Sequence, residues 1–195
     1  MQTIADRLES IPEVFRPLRE HAGRYVQFGT ATDDAGVVAI GPNPAVAPLF
    51  FVFRLYPPAC AEWLIRPRGY AVPIEYLRFL AFTNGCFAYG MSLYGFTPSI
   101  EGDAGLLDRT ALQCHDLSTA NEAWISDFQV PEDLLHFGGR HYSFSENAGY
   151  FLSDSGGVRS FLKSGKEVGR WDNLTQFLQD ELAAAEAYYK ANTPE

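Results

Sequence analysis

Cysteine is scarce in this chain of 195 residues, and it has no apolar run long enough to cross a membrane. The three cysteines, Cys60, Cys86 and Cys114, are an odd number without CxxC spacing, which favours a reducing compartment over a disulfide framework. The longest uncharged run, 35–53, contains three prolines and two glycines, which excludes a membrane helix there. The first residues lack the basic start of a signal peptide. We therefore expect a cytoplasmic protein.

Catalytic motifs are also scarce. The sequence has no phosphate-binding loop and no GxGxxG. Residues 153–157 contain Asp-Ser-Gly-Gly, the string around the nucleophile of trypsin-like proteases, but no matching histidine motif precedes it. Asp, Ser and Gly are equally the residues of a tight turn, and we predict a turn. We expect no enzyme activity and no cofactor.

The side chains that could bind a metal are Cys114, His115, His136 and His141. Structural zinc sites usually contain two pairs of ligands, with the members of each pair two to four residues apart. Here one pair is adjacent and the other is separated by five positions. We therefore predict no metal site, and partly buried histidines whose nitrogens bond to backbone carbonyls.

A short apolar helix is the clearest element in the sequence. Pro73 suits its first turn, and the Asn84-Gly85 pair supplies a left-handed stop. Tyr76, Leu77 and Leu80 share one face of this helix, with Phe79 and Phe82 on its flank. The aromatic stretch 86–96 that follows predicts a strand with glycine bends.

Helical periodicity is present at both ends. In residues 1–22 a capping box of Ser10 and Glu13 predicts a restart at Ser10, and the last helix should begin at Asp172 or Asn173. Its predicted inner face contains Leu174, Phe177, Leu178, Leu182 and Tyr189. Short helices are predicted at 57–64 and 130–133, and strands at 25–28, 37–40, 49–55, 117, 124–128, 142–144, 150–152, 158–161 and 167–169. The sequence therefore predicts an α+β fold, a central twisted antiparallel sheet with helices at both ends, in a single domain 1–195.

The order of these motifs resembles the SUKH superfamily, which contains fungal regulators of cell-wall assembly and bacterial immunity proteins. The likeness comes from Val-Pro-x-x-Tyr-x-x-Phe-Leu at 72–80, Asn-Gly at 84–85 and a Leu-Tyr-Gly strand at 93–95. A loop-and-helix segment at 117–124, late hairpins at 137–139 and 147–152, and a final Phe-Leu helix at 177–178 follow in order. The resemblance implies a SUKH-like core over 58–190, with 1–57 as an N-terminal elaboration of helix and strands.

Charge is distributed unevenly. The chain carries a formal −9, which disfavours direct binding to nucleic acid. Residues 1–95 balance to zero, whereas 96–133 hold eight acidic residues and one basic residue, net −7. This segment is either a solvated loop face that keeps the protein soluble or a docking surface for a basic partner.

We expect a binding protein, and the resemblance implies an immunity protein that covers a basic toxin domain, such as that of a nuclease. The alternatives are a regulatory scaffold of the cell-wall type and, third, an uncharacterised enzyme. Aromatic anchors at Tyr94 and Trp124, which are core residues in the other interpretation, and several carboxylates form the candidate surface. The candidate partner-binding residues are Tyr94, Glu101, Asp103, Asp116, Glu122, Trp124, Glu132 and Asp133. We expect no membrane contact and a monomer or weak homodimer.

Overall fold

The computed structural model describes residues 4–32, 36–41, 53–66, 68–96, 116–131, 133–141 and 147–192. Its helices in these ranges are α1 (Ile4–Glu9), α2 (Arg16–Tyr25), α3 (Ala61–Ile65), α4 (Ile74–Phe82), α5 (Leu117–Glu122) and α6 (Leu174–Asn192). Three 3₁₀ helices cover Glu13–Phe15, Val26–Phe28 and Trp124–Asp127. The strands are β1 (Thr30–Thr32), β2 (Val38–Ile40), β3 (Phe53–Leu55), β4 (Cys86–Ala88), β5 (Met91–Leu93), β6 (Leu135–His141), β7 (Asn147–Leu152), β8 (Val158–Leu162) and β9 (Glu167–Trp171).

The described strands form one antiparallel sheet in which spatial order equals chain order, from β1 to β9. β3 pairs with β4 through Phe53 opposite Ala88, so the first three strands continue the sheet of the later ones. With helices at both ends, this is the predicted α+β architecture. The N-terminal strands β1, β2 and β3 thus extend the common sheet, because β3 pairs with β4.

Helix α4 lies in the main core, as its apolar pattern predicts. Tyr76, Phe79 and Leu80 are fully buried, and the Tyr76 ring stacks on Phe79. The Tyr76 hydroxyl shares its single hydrogen between two carbonyl oxygens, those of Tyr94, at 2.6 Å, and Phe137, at 3.0 Å. One side chain therefore ties α4 to the backbone of β6 and to the segment that follows β5.

Asn84 closes α4 differently from the predicted helical cap. The helix ends in extended backbone at Thr83, and Gly85 has the expected positive φ of 92°. The amide of Asn84 pairs with the backbone of Phe96: its Nδ2 donates to the carbonyl oxygen, and its Oδ1 accepts from the N–H at 2.7 Å. A Cβ on Gly95 would overlap the Asn84 carbonyl. We call Asn84, Gly95 and Phe96 the Asn84 clamp.

The aromatic stretch after α4 forms two strands where the sequence predicted one. Tyr89 and Gly90 have φ values of 51° and 94°, which are the left-handed values of a two-residue hairpin turn between β4 and β5. Tyr89 is an unusual residue at such a position because its side chain disfavours positive φ. Its ring packs against Phe53 and Tyr25, and these tertiary contacts hold the turn.

Several local predictions are wrong. Residues 25–28 finish α2 and enter a 3₁₀ helix, and the strands expected at 117 and 124–128 are α5 and a 3₁₀ helix. No helix forms in the described residues of 130–133, and Phe137-Gly138-Gly139 lies inside β6. The Ser10 hydroxyl donates to the Arg7 carbonyl, so it does not cap a restart, and the next helical turn begins at Glu13. Residues 49–52 and 142–144 lie outside the described ranges.

Helix α6 begins after Asn173, as predicted. Asn173 Oδ1 accepts from the N–H of Gln176 at 2.9 Å, and the Gln176 side chain accepts from the N–H of Asp172 at 3.2 Å. This reciprocal pair is a capping box. The inner face also carries Glu181, 5% exposed, which accepts hydrogen bonds from Arg140 on β6 and Tyr150 on β7. Apolar periodicity does not reveal this buried carboxylate.

The two faces of the sheet carry separate cores at β7 and β8. Tyr150, Leu152 and Val158 belong to the main core with α4 and α6. Because side chains alternate along a strand, Phe151 points to the opposite face. There it forms a small cluster with Leu134 and Phe161, against which Ile125, Phe128 and Val130 pack. The 3₁₀ helix that starts at Trp124 and the chain after it therefore cover this second face.

A candidate partner-binding pocket beside Tyr70

The predicted partner residues have different environments. Glu101, Asp103 and Glu132 lie outside the described residues. Tyr94 is 4% exposed and its ring packs edge-on against His136, which places it in the core. Phe96, the aromatic next to the acidic segment, is fully buried in the Asn84 clamp. Tyr94 and Phe96 are thus held by the fold, and they are covered by other side chains.

The described acidic residues divide into structural and exposed members. Asp116 caps α5, because its side chain accepts the N–H of Thr119 at 2.8 Å. Asp127 pairs with Lys163 at 2.7 Å. Glu122, at the end of α5, and Asp133, before β6, are exposed, and within the described ranges neither forms an ion pair. Among the described acidic residues of segment 96–133, Glu122 and Asp133 are the two that can meet a partner without breaking a cap or an ion pair.

The described residues form a concave pocket of about 330 Å³. It falls at the lower end of the size range of small-ligand sites. We call it the Tyr70 pocket. It is lined by Gly69, Tyr70, Asn121, Ile125, Ser126, Phe128, Val130, Pro131 and Leu134. Glu122 and Asp133 are the chain neighbours of Asn121 and Leu134, so the exposed acids flank the lining residues in sequence.

The walls of the Tyr70 pocket are held by the fold. Asn121 donates to the carbonyl oxygens of Leu117 and His136, and accepts from the His136 N–H at 2.8 Å, which joins α5 to β6. The Phe128 ring packs edge-on against Phe151 and His136, with centroids 5.2 and 5.1 Å away. The cavity is therefore preorganised, which reduces the entropy lost on binding.

Electrostatics links the pocket to the acids. Burial raises the pKa of Tyr70, its hydrogen bond with Ser118 and the positive charge of Arg68 lower it, and the charges of Asp116 and Glu122 raise it. The charges of Asp116 and Glu122 therefore both act on Tyr70, which forms part of the pocket wall. The Tyr70 hydroxyl lies 3.0 Å from the Ser118 hydroxyl, which anchors the ring to α5.

The positive charge of Arg68 opposes the charges of Asp116 and Glu122 at Tyr70, and its guanidinium also contacts other parts of the chain. Its guanidinium donates to the carbonyl oxygens of Trp63 and Arg66 and lies 3.9 Å from the centroid of the Phe96 ring. Contacts of this kind fix a guanidinium and satisfy its donors. Tyr70 is therefore under the opposing influence of one cation, Arg68, and two carboxylates, Asp116 and Glu122.

The sequence did not single out Tyr70, Ile125 or Phe128, because their spacing matches no motif. Asn121 lay in the loop-and-helix segment of the family resemblance. Its role as a bridge to β6 depends on a residue 15 positions later, which spacing does not reveal. The only available signal was the position of these residues beside the segment of net charge −7.

Neither the turn at 153–157 nor Cys86 is among the residues that line this pocket. Residues 153–157 form the predicted turn between β7 and β8, with Gly156 at φ 89° and the Ser153 and Ser155 hydroxyls 2.9 Å apart. Cys86 is buried, which raises the pKa of its thiol to about 12. A thiol with so high a pKa is a poor nucleophile at neutral pH.

Of the four possible metal ligands, the structure describes the side chain of His136. His136 is 2% exposed and stacks on Phe151 at 4.6 Å between centroids, whereas Cys114 and His115 lie outside the described residues. In the described part of the chain, no three His, Cys, Asp or Glu side chains are grouped as metal ligands. None of the described helices combines the length and hydropathy needed to cross a bilayer.

Comparisons of this chain with protein-family models, with curated proteins and with solved structures find no match. The site is therefore defined by its own geometry: a preformed pocket, lined mostly by apolar side chains, whose lining residues Asn121 and Leu134 are chain neighbours of the exposed Glu122 and Asp133.

Proposed function

We propose that this chain is a non-enzymatic protein-binding module of the SUKH type, an immunity protein that binds and neutralises a cognate toxin with a basic surface. The observation that carries the proposal is the Tyr70 pocket, a preformed cavity beside exposed acids. Interfaces of this kind combine a well-packed anchor site with charges that steer the encounter. We propose that the protein acts in the cytoplasm as a monomer or weak homodimer, without direct contact to nucleic acid.

The buried positions of the SUKH-like residues support this proposal. Tyr76, Phe79 and Leu80 fill the core, and Asn84 holds the backbone of Phe96. Residues committed to packing in this way maintain the fold and do not contact a partner. Recognition is left to the surface, where substitutions usually change stability by less than 0.5 kcal/mol. Such a division suits a binding protein whose partner differs from one relative to the next.

Charge supports a basic partner. Exposed carboxylates such as Glu122 and Asp133 attract a cationic surface, speed its association and repel an anionic one. Glu101, Asp103 and Glu132 belong to the same acidic stretch of sequence. A toxin that cleaves nucleic acid needs a basic cleft for phosphate, and an acidic protein that covers this cleft would block it.

The first experiment identifies the partner and asks whether it is toxic. The protein would be purified from the cells that make it, and the co-eluting protein expressed alone and together with this chain in a bacterial host. We expect one stoichiometric partner that arrests growth alone and is harmless when this chain is present. Several partners of comparable affinity would favour a regulatory scaffold, and growth arrest that this chain does not relieve would contradict the proposal.

The second experiment measures association kinetics with that partner. Replacing Glu122 and Asp133 together by Lys should slow association about tenfold at low salt and flatten its salt dependence, because both charges are exposed. The matched control changes the net charge by the same amount: Glu9→Lys with Asp154→Lys, two exposed charges that do not line the pocket. Equal association rates for the two variants would place the interface elsewhere.

A further inference from the structure

The nine described residues that line the Tyr70 pocket include no charged side chain. Six of them carry apolar or aromatic side chains, and four of these six belong to the small core on the second face of the sheet: Ile125, Phe128, Val130 and Leu134. A charged group that left water for this lining would find no counter-ion among these residues, which costs free energy. The lining therefore selects a neutral occupant.

The size of the pocket and its two rings favour an aromatic occupant. Its volume of about 330 Å³ is that of a small-ligand site, which is more room than a short aliphatic side chain fills. Tyr70 and Phe128 are both lining residues, and aromatic pairs gain free energy beyond the area that they bury. The Phe128 ring already packs edge-on against Phe151 and His136, so it is fixed before any occupant arrives.

Asn121 and Ser126 give the lining oxygen acceptors, because their own hydrogens are already used. Asn121 Nδ2 donates to the carbonyl oxygens of Leu117, at 2.8 Å, and His136, at 3.0 Å. The Ser126 hydroxyl donates to the carbonyl oxygen of Ala123 at 2.8 Å, and its oxygen keeps lone pairs that can accept. Ser126 is exposed, so water can reach this oxygen in the empty pocket. An occupant that displaces this water without donating a hydrogen bond leaves the oxygen unsatisfied.

Tryptophan is the side chain that meets all of these conditions. It is neutral, it has the largest ring system, and its indole N–H is a donor without an accompanying acceptor. Phenylalanine fills less of the cavity and leaves the Ser126 oxygen unsatisfied, and tyrosine brings a hydroxyl oxygen that itself needs a donor. Tryptophan is also enriched among the residues that supply most of the binding free energy at protein interfaces.

We infer that the Tyr70 pocket receives one tryptophan side chain of the protein partner, whose rings cover Ile125 and Phe128 and whose indole N–H donates to Ser126 Oγ. The inference rests on the proposed function, because it names the anchor residue of the partner whose basic surface is proposed above. Glu122 and Asp133 are exposed and do not line the pocket, so they act on that surface and not on the anchor.

The test uses the full chain and three N-acetyl amino-acid amides as probes. The probes contain tryptophan, arginine, or 3-benzothienylalanine, an isostere of tryptophan in which sulfur replaces the N–H group. Binding is followed by amide shifts of the ¹⁵N-labelled protein. We expect a Kd of about 1 mM for the tryptophan probe, with shifts at Gly69, Asn121 and Ser126. The benzothienyl probe should bind about fivefold more weakly because it lacks the hydrogen bond, and the arginine probe should shift none of these resonances.

Substitutions at Ser126 separate the hydrogen bond from the packing. Ser126→Ala should weaken the tryptophan probe about fivefold and leave the benzothienyl probe unchanged, whereas Ser126→Thr, which keeps the hydroxyl, should bind both probes as the parent does. The matched control is Ser155→Ala, an exposed serine outside the lining, which should change neither probe. Both positions are exposed, so these variants should fold.

The inference is overturned if the tryptophan probe shifts no lining resonance, if the benzothienyl probe binds as tightly, or if Ser126→Ala weakens both probes equally or neither. Binding of the arginine probe to the same residues would overturn the selection of a neutral occupant. These outcomes are separable from the toxicity experiment. A chain that relieves toxicity but does not bind the tryptophan probe retains the proposed function and loses this inference. A chain that binds the probe but relieves no toxicity keeps a tryptophan pocket and loses the immunity role.

Discussion

The Asn84 clamp and the Tyr70 pocket use polar groups in opposite ways, although Arg68 lies between them. In the clamp, the side-chain amide is paired with backbone groups of Phe96, and a glycine is needed for close approach. Beside the pocket, Glu122 and Asp133 remain in water without an internal ion pair in the described residues. The first arrangement stabilises one fold, and the second keeps charge available for another molecule. Substitutions in the clamp should therefore affect unfolding, and substitutions beside the pocket should affect binding.

The largest effect is expected for Gly95→Ala. The added Cβ would overlap the carbonyl of Asn84, and because the obstacle is backbone, the clamp must open. We expect a loss of about 3 kcal/mol in the free energy of unfolding, measured by denaturant melts. The control is Gly23→Ala in α2, where a Cβ meets nothing within 4 Å and should stabilise the protein by about 0.5 kcal/mol. Equal stability of the two variants would remove the close-approach argument.

A smaller loss is expected for Tyr76→Phe, which deletes the hydroxyl that bonds the carbonyls of Tyr94 and Phe137. The two carbonyls lose the hydrogen that they share, although the Phe137 carbonyl keeps the Tyr94 N–H at 2.8 Å, and the core volume hardly changes, so stability should fall by about 1.5 kcal/mol. Tyr188→Phe, at a position 40% exposed, should lose less than about 0.5 kcal/mol. A neutral Tyr76→Phe would mean that these carbonyls find other donors.

The acidic residues themselves should separate into two classes. Asp116→Ala removes the cap of α5 and should cost about 1 kcal/mol in unfolding free energy. Glu122→Ala should stay within about 0.5 kcal/mol of the parent, because its side chain is exposed. Thermal melts of the two variants at one salt concentration compare them directly. An equal loss in both would show that Glu122 also belongs to the fold.

The smallest effect concerns the pH dependence of the contact between α2 and α6. Burial lowers the pKa of His21 below its ordinary value of 6.5, the charge of Arg24 lowers it further, and Glu186 opposes both. Arg24 Nη2 donates to His21 Nδ1 at 2.8 Å, which needs the neutral ring. Because the unfolded state then binds the proton more tightly, the contribution of His21 is present above pH 6.5 and is lost as pH falls through the folded pKa.

His21→Gln should therefore flatten the decline in stability between about pH 7 and pH 5, measured by denaturant melts across that range. The effect is small because Glu186 partly cancels the influence of Arg24. Burial also raises the pKa of Glu186, but hydrogen bonds from Lys190 and Tyr25 bring it below its ordinary value of 4.5. Its own contribution is lost only at lower pH. An unchanged slope in the variant would contradict a lowered pKa at His21.

Sequence reasoning was most accurate where one residue type is nearly obligatory. The burial of Tyr76, Phe79 and Leu80, the positive φ of Gly85 and the start of α6 after Asn173 follow from local chemistry and are all confirmed. Residue propensity alone was wrong at 117, where it predicted a strand. The loop-and-helix segment that the family resemblance predicted for 117–124 agrees with helix α5, which Asp116 caps and Asn121 ties to β6. The bond from Asn121 reaches a residue 15 positions later, and residue propensity carries no information about such a contact. The Tyr89 turn likewise depends on packing against Phe53, which lies 36 positions earlier.

Periodicity, turn residues and charge by themselves determined the fold class, the central helix and the location of the negative segment, because each depends on neighbours within a few positions of the chain. Only the tertiary structure decided which acids remain free and where a cavity opens. Asp116 and Asp127 became a cap and an ion-pair partner, while Glu122 and Asp133 did not, because the positions of Thr119 and Lys163 fix the partners of the first two. The Tyr70 pocket exists because the loop at Gly69, helix α5 and the chain before β6 meet across some 65 residues of sequence, a distance over which no local pattern acts.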